Sequence, residues 1–173
     1  MGKGSAEHLI IRDFRIEDAP DIMRYFNQGL KENKYPFVFP FRSSRITLRE
    51  INKIWIPGYR RGDTITTVAE LDGKVIGAGT LFRPRNPTET GWEYTVTVSP
   101  DHIGKGIGKL ITRRILRVAK MKGVKKVMGK VIPENVATMR MNKKMGFHVE
   151  GRLRKHFYYK RRYYDLVVWA FFP

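Results

Sequence analysis

The stretch that decides the fold places three glycines at alternate positions: Asp101-His102-Ile103-Gly104-Lys105-Gly106-Ile107-Gly108-Lys109. An apolar run typical of a strand, residues 94–98, precedes it, and apolar residues spaced three and four apart, as in an amphipathic helix, follow it up to residue 121. A strand, a glycine loop and a helix start leave free N–H groups at the first helical turn, where the helix dipole adds partial positive charge. The stretch therefore predicts an anion site, with phosphate or pyrophosphate as the expected ligand.

Two familiar phosphate-binding loops do not fit this stretch. The dinucleotide fingerprint requires G-x-G-x-x-G, whereas the glycines here read G-x-G-x-G. A Walker A loop requires Ser or Thr after its lysine, whereas Lys109 is followed by Leu110. A tight strand-to-helix turn without a ligand is the alternative interpretation, because glycine loops are common.

Length and composition predict one folded domain. The chain has 173 residues, of which 42% are hydrophobic, enough to bury a core and too many for a disordered chain. No apolar run approaches the length of a membrane span. We expect residues 1–7 to form a flexible lead-in, residues 8–173 to form the domain, and the protein to be cytoplasmic, since the N-terminus lacks an apolar signal core.

The inventory of reactive side chains excludes several chemistries. The chain has no cysteine, which rules out a thiol nucleophile, a disulfide framework and a cysteine metal site. Its four histidines show no ligand spacing, so no metal is expected.

The formal net charge of +18 favours an anionic partner. Candidates are a phosphorylated cofactor, nucleic acid, a ribosomal particle and an acidic protein surface. Basic residues stand beside aromatic ones over residues 152–164, a pattern that suits either stacking on RNA or a β-hairpin with an exposed basic turn.

The order of predicted elements is β-α-α-β-β-β-α-β-α-β-β, a mixed α/β sheet. Asp18 is expected to cap the first helix, and Thr47 with Glu50 resembles a capping box for a second helix that ends near residue 58. Asp72-Gly73 is a two-residue hairpin signal, and the last two strands form a hairpin around residues 160–162. The aromatic and proline-rich residues 35–41 cannot form a regular helix, so they either pack on the core or line a pocket.

The strand over residues 94–98, the glycine loop and the later segment that runs from Asn135 to Met145-Gly146-Phe147 together resemble the GNAT superfamily of acetyl-coenzyme-A-dependent N-acetyltransferases. The family signature [R/Q]-x-x-G-x-[G/A] falls on residues 103–108, with Ile103 in place of Arg or Gln. The run from Glu93 to His102, the segment Glu134-Asn135-x-Ala137-Thr138 and the string Gly151-Arg152-Leu153-Arg154 are similar to the phosphinothricin acetyltransferase-like branch.

The resemblance covers about residues 9–172 and implies the GNAT fold, a single domain with a mixed, mostly antiparallel sheet of about seven strands flanked by about four helices. It also implies acetyl-CoA as cosubstrate. Backbone N–H groups from about Gly104 to Lys109 would hold the pyrophosphate, and strand backbone at Val96 and Val98 would pair with the pantetheine arm. Asn135 would contact pantetheine, with a plain helix N-cap as its alternative.

The implied cofactor-binding set is Val96, Thr97, Val98, Ile103, Gly104, Lys105, Gly106, Ile107, Gly108, Lys109, Asn135 and Asn142. Ile103 removes one polar contact but leaves the backbone donors of the loop in place. Residues 35–41 would form one wall of the acceptor site, because the variable first helices of the family lie there.

For catalysis, the resemblance implies Glu93 as the general base that takes a proton from the attacking amine. Its alternative is a surface glutamate or a salt bridge to a cation. Asn142 occupies the position of the family's usual Tyr or His acid, where an amide hydrogen-bonds to the thioester sulfur but cannot deliver a proton as those residues do. Water or a tyrosine of the last hairpin would then complete the transfer: Tyr158, Tyr159, Tyr163 or Tyr164.

The expected function is therefore direct transfer of an acetyl group to a primary amine on a protein N-terminus, a lysine or a small molecule. The alternative is a nucleic-acid- or ribosome-binding protein on the same scaffold with weak or lost catalysis. Both a monomer and a homodimer remain open, since the C-terminal hairpin carries apolar surface that a dimer would bury.

Overall fold

The computed structural model describes residues 8–34, 45–159 and 161–173. The predicted lead-in, residues 1–7, and the aromatic segment, residues 35–41, lie outside the described residues. Within them no helix is both long enough and apolar enough to cross a membrane.

A seven-stranded sheet in the order β1-β2-β3-β4-β5-β7-β6 forms the centre of the described chain. Every neighbouring pair is antiparallel except β4 and β5, which run parallel. This confirms the predicted mixed, mostly antiparallel sheet. The strands are β1 (Leu9–Asp13), β2 (Thr64–Leu71), β3 (Lys74–Phe82), β4 (Gly91–Val98), β5 (Lys126–Val131), β6 (His148–Tyr159) and β7 (Arg162–Phe171).

Four helices cover the sheet in the described residues, as predicted. They are α1 (Ala19–Lys31), α2 (the consecutive pieces Leu48–Glu50, Ile51–Trp55 and Ile56–Arg60), α3 (Ile107–Met121) and α4 (Val136–Lys144). One core cluster joins α3 to the sheet, and a second joins α1 and α2 to the opposite face. The two cores make a single three-layered α/β domain.

The buried face of α3 differs from the predicted one. The apolar spacing after the glycine loop predicts a face made of Leu110, Ile111, Ile115, Val118 and Met121. Ile111, Ile115 and Val118 are buried as expected, but Leu110 is 36% exposed and Met121 is 73% exposed. The helix instead begins early enough to bury another set, namely Ile107, Thr112, Leu116 and Ala119. Full burial of each large apolar side chain on this face contributes about 1.5–3 kcal/mol.

Two helix starts show how side chains decide local structure. Thr47 and Glu50 form the predicted capping box, with the Glu50 N–H donating to Thr47 Oγ1 at 3.3 Å and the Thr47 N–H to Glu50 Oε2 at 2.9 Å. Asp18 precedes α1 but does not cap it, because its carboxylate accepts two hydrogen bonds from the Arg12 guanidinium and one from the Arg15 N–H. A long-range ion pair thus replaces the local cap.

Helix α2 runs past its predicted end near residue 58 to Arg60. Its middle piece, Ile51–Trp55, is π-helical, and the Ile56 N–H donates to the Ile51 carbonyl five residues back. The wide turn falls just before Pro57, which has no N–H to donate, so the helix passes the proline.

Both predicted hairpins form. Asp72 and Gly73 have φ of 47° and 79°, the left-handed pair that a two-residue turn between β2 and β3 requires. The hairpin of β6 and β7 carries a register shift between Leu153 and Phe157 that the sequence pattern did not reveal. At this shift the Lys155 N–H and the Arg152 guanidinium donate to Asp165, and these bonds hold the pKa of its carboxyl below the ordinary value.

The parallel strands β4 and β5 separate after three paired positions, Gly91–Glu93 with Lys126–Met128. Beyond this point the Tyr94 ring lies against Gly129, where an added β-carbon would be only 2.5 Å from Tyr94 Cε1. The ring also stacks on Phe147 with 5.1 Å between centroids. An aromatic side chain therefore occupies the space at which the two strands begin to diverge.

We expect Gly129→Ala to lower the free energy of unfolding by about 1–3 kcal/mol, because the new methyl group overlaps the Tyr94 ring and both strands must move. Gly151→Ala is the matched control, since a β-carbon there meets nothing within 4 Å and Gly151 also lies in a strand. Urea denaturation of both variants measures the difference. Equal midpoints would contradict this account of the Tyr94 contact.

Candidate active site

The glycine loop opens α3 through left-handed backbone. Gly106, the N-cap residue, has φ of 81° and Gly104 has φ of 87°, and a β-carbon at either would meet nothing within 4 Å. The N–H groups of Lys105 and Lys109 donate to the carbonyls of His102 and Gly106. Among the described residues, no protein acceptor takes the N–H groups of Gly104, Gly106, Ile107 and Gly108. Unpaired donors at the positive end of a helix are the arrangement that favours binding of an anion.

The loop lies at one end of a cavity of about 610 Å³, here called the glycine-loop cavity. All of the implied cofactor-binding residues line it except Lys105 and Asn142: Val96, Thr97, Val98, Ile103, Gly104, Gly106, Ile107, Gly108, Lys109 and Asn135. Lys34, Arg140 and Lys144 add cationic groups to its wall. The free N–H groups, the space above the glycines and these cations fit a ligand that carries several phosphates.

Asn135 caps a helix, as its alternative interpretation predicted, and it also lines the glycine-loop cavity. Its Oδ1 accepts a hydrogen bond from the Thr138 N–H at 3.2 Å, which caps α4. The same residue lines the glycine-loop cavity. A helix cap and a cavity wall are therefore compatible at this position.

A second cavity of about 610 Å³, here called the α1-side cavity, is bounded by α1, α2 and the face of the sheet that bears Glu93. Phe26 and Trp55 belong to its apolar lining, and its lining also contains five charged residues: Arg83, Arg85, Glu89, Glu93 and Lys130. The Arg83 guanidinium stacks over the Trp92 ring at 5.7 Å from the centroid. The lining of the cavity thus combines apolar and charged side chains.

The two cavities meet where β4 and β5 diverge, since Thr95, Thr97 and Lys130 line both of them. Glu93 lies at this junction, and its Oε2 accepts a hydrogen bond from Lys130 Nζ at 2.7 Å. Thr97 Oγ1 lies 3.0 Å from the hydroxyl oxygen of buried Tyr25, which links β4 to α1. The Glu93–Lys130 ion pair therefore lies beside the lining that the two cavities share.

Asn142 is fully buried and lines neither cavity. Its Oδ1 accepts a hydrogen bond from the Tyr94 hydroxyl, while its Nδ2 has no acceptor among the described residues. Tyr94 does line the glycine-loop cavity. Burial raises the pKa of the Tyr94 hydroxyl above its ordinary value, because the phenolate would lose its hydration.

Two residues of the site were not predicted from the sequence, and four tyrosines that the sequence suggested as proton donors lie elsewhere. Tyr158, Tyr159, Tyr163 and Tyr164 belong to the β6–β7 hairpin, and none of them lines the two cavities. Tyr94 and Lys130 were missed. The alternation of side chains along a strand is the signal that could have found them. It places Lys130 on the same face of β5 as Met128, and it places Tyr94 on the face of β4 opposite to Glu93. The described residues contain no cluster of metal-ligating side chains.

The comparisons with known proteins agree with this geometry. A family model described as the acetyltransferase (GNAT) family matches residues 27–147, more than half of the chain. The chain therefore belongs to the GNAT acetyltransferase family.

Individual relatives are distant but cover most of the fold. An L-methionine sulfoximine/L-methionine sulfone acetyltransferase of Pseudomonas aeruginosa is 23% identical over 150 residues, which are 83% of this chain and 82% of that protein. A phosphinothricin N-acetyltransferase of Streptomyces viridochromogenes is 30% identical over 104 residues, 59% of this chain and 57% of that one. A Sinorhizobium meliloti phosphinothricin acetyltransferase, solved in complex with AcCoA, superposes with a TM-score of 0.80 at 18% identity and covers 94% of this chain and 87% of that chain.

Gly106→Glu should abolish binding of acetyl-CoA in a calorimetric titration, because it puts a carboxylate and a side chain at the free N–H groups of the loop. Gly123→Glu is the matched control. Gly123 also has positive φ, 72°, also has open space for a β-carbon and lies beyond the opposite end of α3. The backbone strain is the same, so we expect Gly123→Glu to bind as the parent does. Equal loss of binding in both variants would contradict the anion site.

Alkaline pH should reveal the buried Tyr94 hydroxyl. Because its pKa is raised in the folded protein, the Tyr94 hydroxyl of the unfolded chain loses its proton at lower pH. The contribution of this hydroxyl to the free energy of unfolding is therefore intact below the ordinary tyrosine pKa of about 10 and is lost as the pH rises above that value. In Tyr94→Phe the fall of unfolding free energy with pH should become shallower by about 1.4 kcal/mol per pH unit, which corresponds to one proton. Urea denaturation from about pH 9 to about pH 11.5, a range that spans the ordinary tyrosine pKa, measures both slopes. Parallel slopes would show that the hydroxyl ionises normally.

Proposed function

We propose that the protein is an acetyl-CoA-dependent N-acetyltransferase that transfers the acetyl group directly to a small primary amine. The observation that carries the proposal is the meeting of the two cavities beside Glu93, at the divergence of β4 and β5. One cavity fits a polyphosphate ligand, and the other has a shape and lining suited to a small acceptor.

In this proposal acetyl-CoA occupies the glycine-loop cavity. The free N–H groups of Gly104, Gly106, Ile107 and Gly108 hold its pyrophosphate, and Lys109 adds charge beside them. Its pantetheine arm runs along the part of β4 that no longer pairs with β5, where Val96 lies, and so adds a partial strand to the sheet. The thioester then reaches the junction with the α1-side cavity.

The acceptor occupies the α1-side cavity. Its amine approaches Glu93, and an acidic group on the same molecule faces Arg83 and Arg85, which also line the cavity. The relative from Pseudomonas aeruginosa bears the name of an acetyltransferase for methionine derivatives, which combine an amine and a carboxylate. A small amine with an acidic substituent therefore suits both the cavity and the relatives.

Glu93 accepts the proton that the ammonium group must lose before it attacks the thioester carbonyl. Its side chain is 41% exposed, so water can carry the proton onward to solvent. The chain has no cysteine to form an acetyl-enzyme, and direct attack requires none. The new N–C bond forms as the C–S bond breaks, and the thiolate leaves with coenzyme A.

Asn142 contributes to this reaction through Tyr94 rather than by touching the thioester. It accepts a hydrogen bond from the Tyr94 hydroxyl, and Tyr94 lines the glycine-loop cavity and contacts Gly129 on β5. Asn142 is thus a positioning residue in this proposal, and the leaving thiolate takes its proton from water.

Glu93→Gln should lower kcat/KM by about 10²–10⁴-fold while leaving acetyl-CoA affinity unchanged, because the amide cannot accept the proton of the acceptor. Glu150→Gln is the matched control, since Glu150 likewise pairs with a lysine of β5, Lys126, at 2.8 Å. The measurement is coenzyme A release against a panel of amino acids and other small amines, with calorimetry of acetyl-CoA in parallel. Full activity of Glu93→Gln on an amine that the parent acetylates would remove Glu93 as the base.

A further inference from the structure

We propose that Lys130 is a self-acetylation site, modified by the acetyl-CoA bound to its own chain. The inference rests on the proposed function, since it requires the same donor in the same cavity. It concerns a modification of the protein itself, which takes place when no small acceptor fills the α1-side cavity.

Position is the first support for this inference. Lys130 lines the glycine-loop cavity and the α1-side cavity, together with Thr95 and Thr97. Its side chain starts on β5 two residues beyond Met128, where the pairing with β4 has ended, and crosses the gap to Glu93. Among the described residues it is the one amine that lines both cavities.

The partner of Lys130 is the second support. Its Nζ donates to Glu93 Oε2 at 2.7 Å, so an ammonium group already sits on the carboxylate proposed to deprotonate the acceptor. Lys130 Nζ thus occupies the place that the acceptor amine must take. A thioester that reaches the junction meets this nitrogen first unless an acceptor displaces it.

The reaction balances as acetyl transfer to any amine does. Glu93 takes one proton from the Lys130 ammonium, and the neutral Nζ attacks the thioester carbonyl. An N–C bond forms, the C–S bond breaks, and coenzyme A leaves as the thiolate, which water protonates. The product is an amide that carries no charge, so Lys130 no longer forms the ion pair and Glu93 loses its cationic partner.

Lys126 provides an internal comparison on the same strand. It also forms an ion pair with a glutamate, Glu150, at 2.8 Å, and its side chain is 24% exposed against 42% for Lys130. It lines neither cavity. If an ion pair on β5 were enough for acetylation, both Lys126 and Lys130 would be modified. Selective modification of Lys130 would therefore depend on its position at the cavities.

The experiment incubates the full chain with trideuterated acetyl-CoA and no acceptor, and then blocks unreacted lysines with propionic anhydride. Trypsin now cleaves only after arginine and releases residues 118–140, which contain Lys120, Lys122, Lys125, Lys126 and Lys130. Fragment-ion mass spectrometry of this peptide locates the label. We expect Lys130 to acquire it at least about tenfold faster than Lys126, because the bound thioester is held beside it.

Four measurements establish that the transfer is intramolecular and uses the site. The labelling rate at Lys130 should be independent of protein concentration. Glu93→Gln should slow it, whereas Glu150→Gln should not. Gly106→Glu should reduce labelling at Lys130 to the level of the other lysines, while Gly123→Glu should leave it unchanged. In Lys130→Arg, which keeps the cation, no site should acquire label at the rate of Lys130 in the parent.

Calorimetry of acetyl-CoA on the same preparation separates the two proposals. If acetyl-CoA binds and amines are acetylated while Lys130 labels no faster than Lys126, self-acetylation is refuted and the proposed function stands. Label at Lys130 that persists at the parental rate in Gly106→Glu would also refute it, because the reaction would then be chemical acylation from solution. Absence of acetyl-CoA binding by the folded parent would overturn both proposals.

Discussion

The contact between the Tyr94 ring and Gly129 is the constraint on which the site depends. Two parallel strands that pair over their whole length leave no space between them, whereas β4 and β5 pair at three positions and then part. The ring fills the space where they part, and the glycine lets it lie against the backbone of β5. Because protein interiors are densely packed, moving this ring would shift both strands and with them the junction of the two cavities.

The junction of the two cavities also holds a carboxylate within a positively charged part of the molecule. The chain carries a formal charge of +18, and the glycine-loop cavity is lined by cations and free N–H groups. Glu93 is a carboxylate at the inner end of this positive region, and Lys130 neutralises it in the absence of a substrate amine. In the proposed reaction an incoming ammonium group exchanges with Lys130, so acceptor binding and the position of this lysine would be linked.

Local sequence signals predicted a large part of the fold. The Thr47–Glu50 capping box, the Asp72-Gly73 turn and the glycine loop depend on residues close together in the chain, and each formed as expected. Asp18 behaved differently because Arg12, on the neighbouring strand β1, offers a stronger partner than the helix N–H groups. A cap that two nearby residues form with each other, as Thr47 and Glu50 do, can be predicted from sequence, whereas competition between local and distant partners cannot.

The residues of the candidate site also fall into those that local motifs predicted and those that only the fold brings together. The glycine loop and Asn135 are contiguous motifs, and the cavity they line was expected. Tyr94, Gly129 and Asn142 meet only because β4, β5 and α4 come together in space. Neither periodicity nor spacing reports such a meeting, so the burial of Asn142 and the ion pair of Lys130 required the structure.

The basic β6–β7 hairpin has a consequence for how copies of this protein behave at high concentration. β6 is an edge strand of twelve residues, and its backbone groups on the outer side are a template for another strand. Arg152, Arg154 and Lys155 on this edge are exposed, and so are Arg161 and Arg162 at the start of β7. Two such edges brought side by side place like charges in register, and their repulsion opposes aggregation through strand pairing, most effectively at low ionic strength.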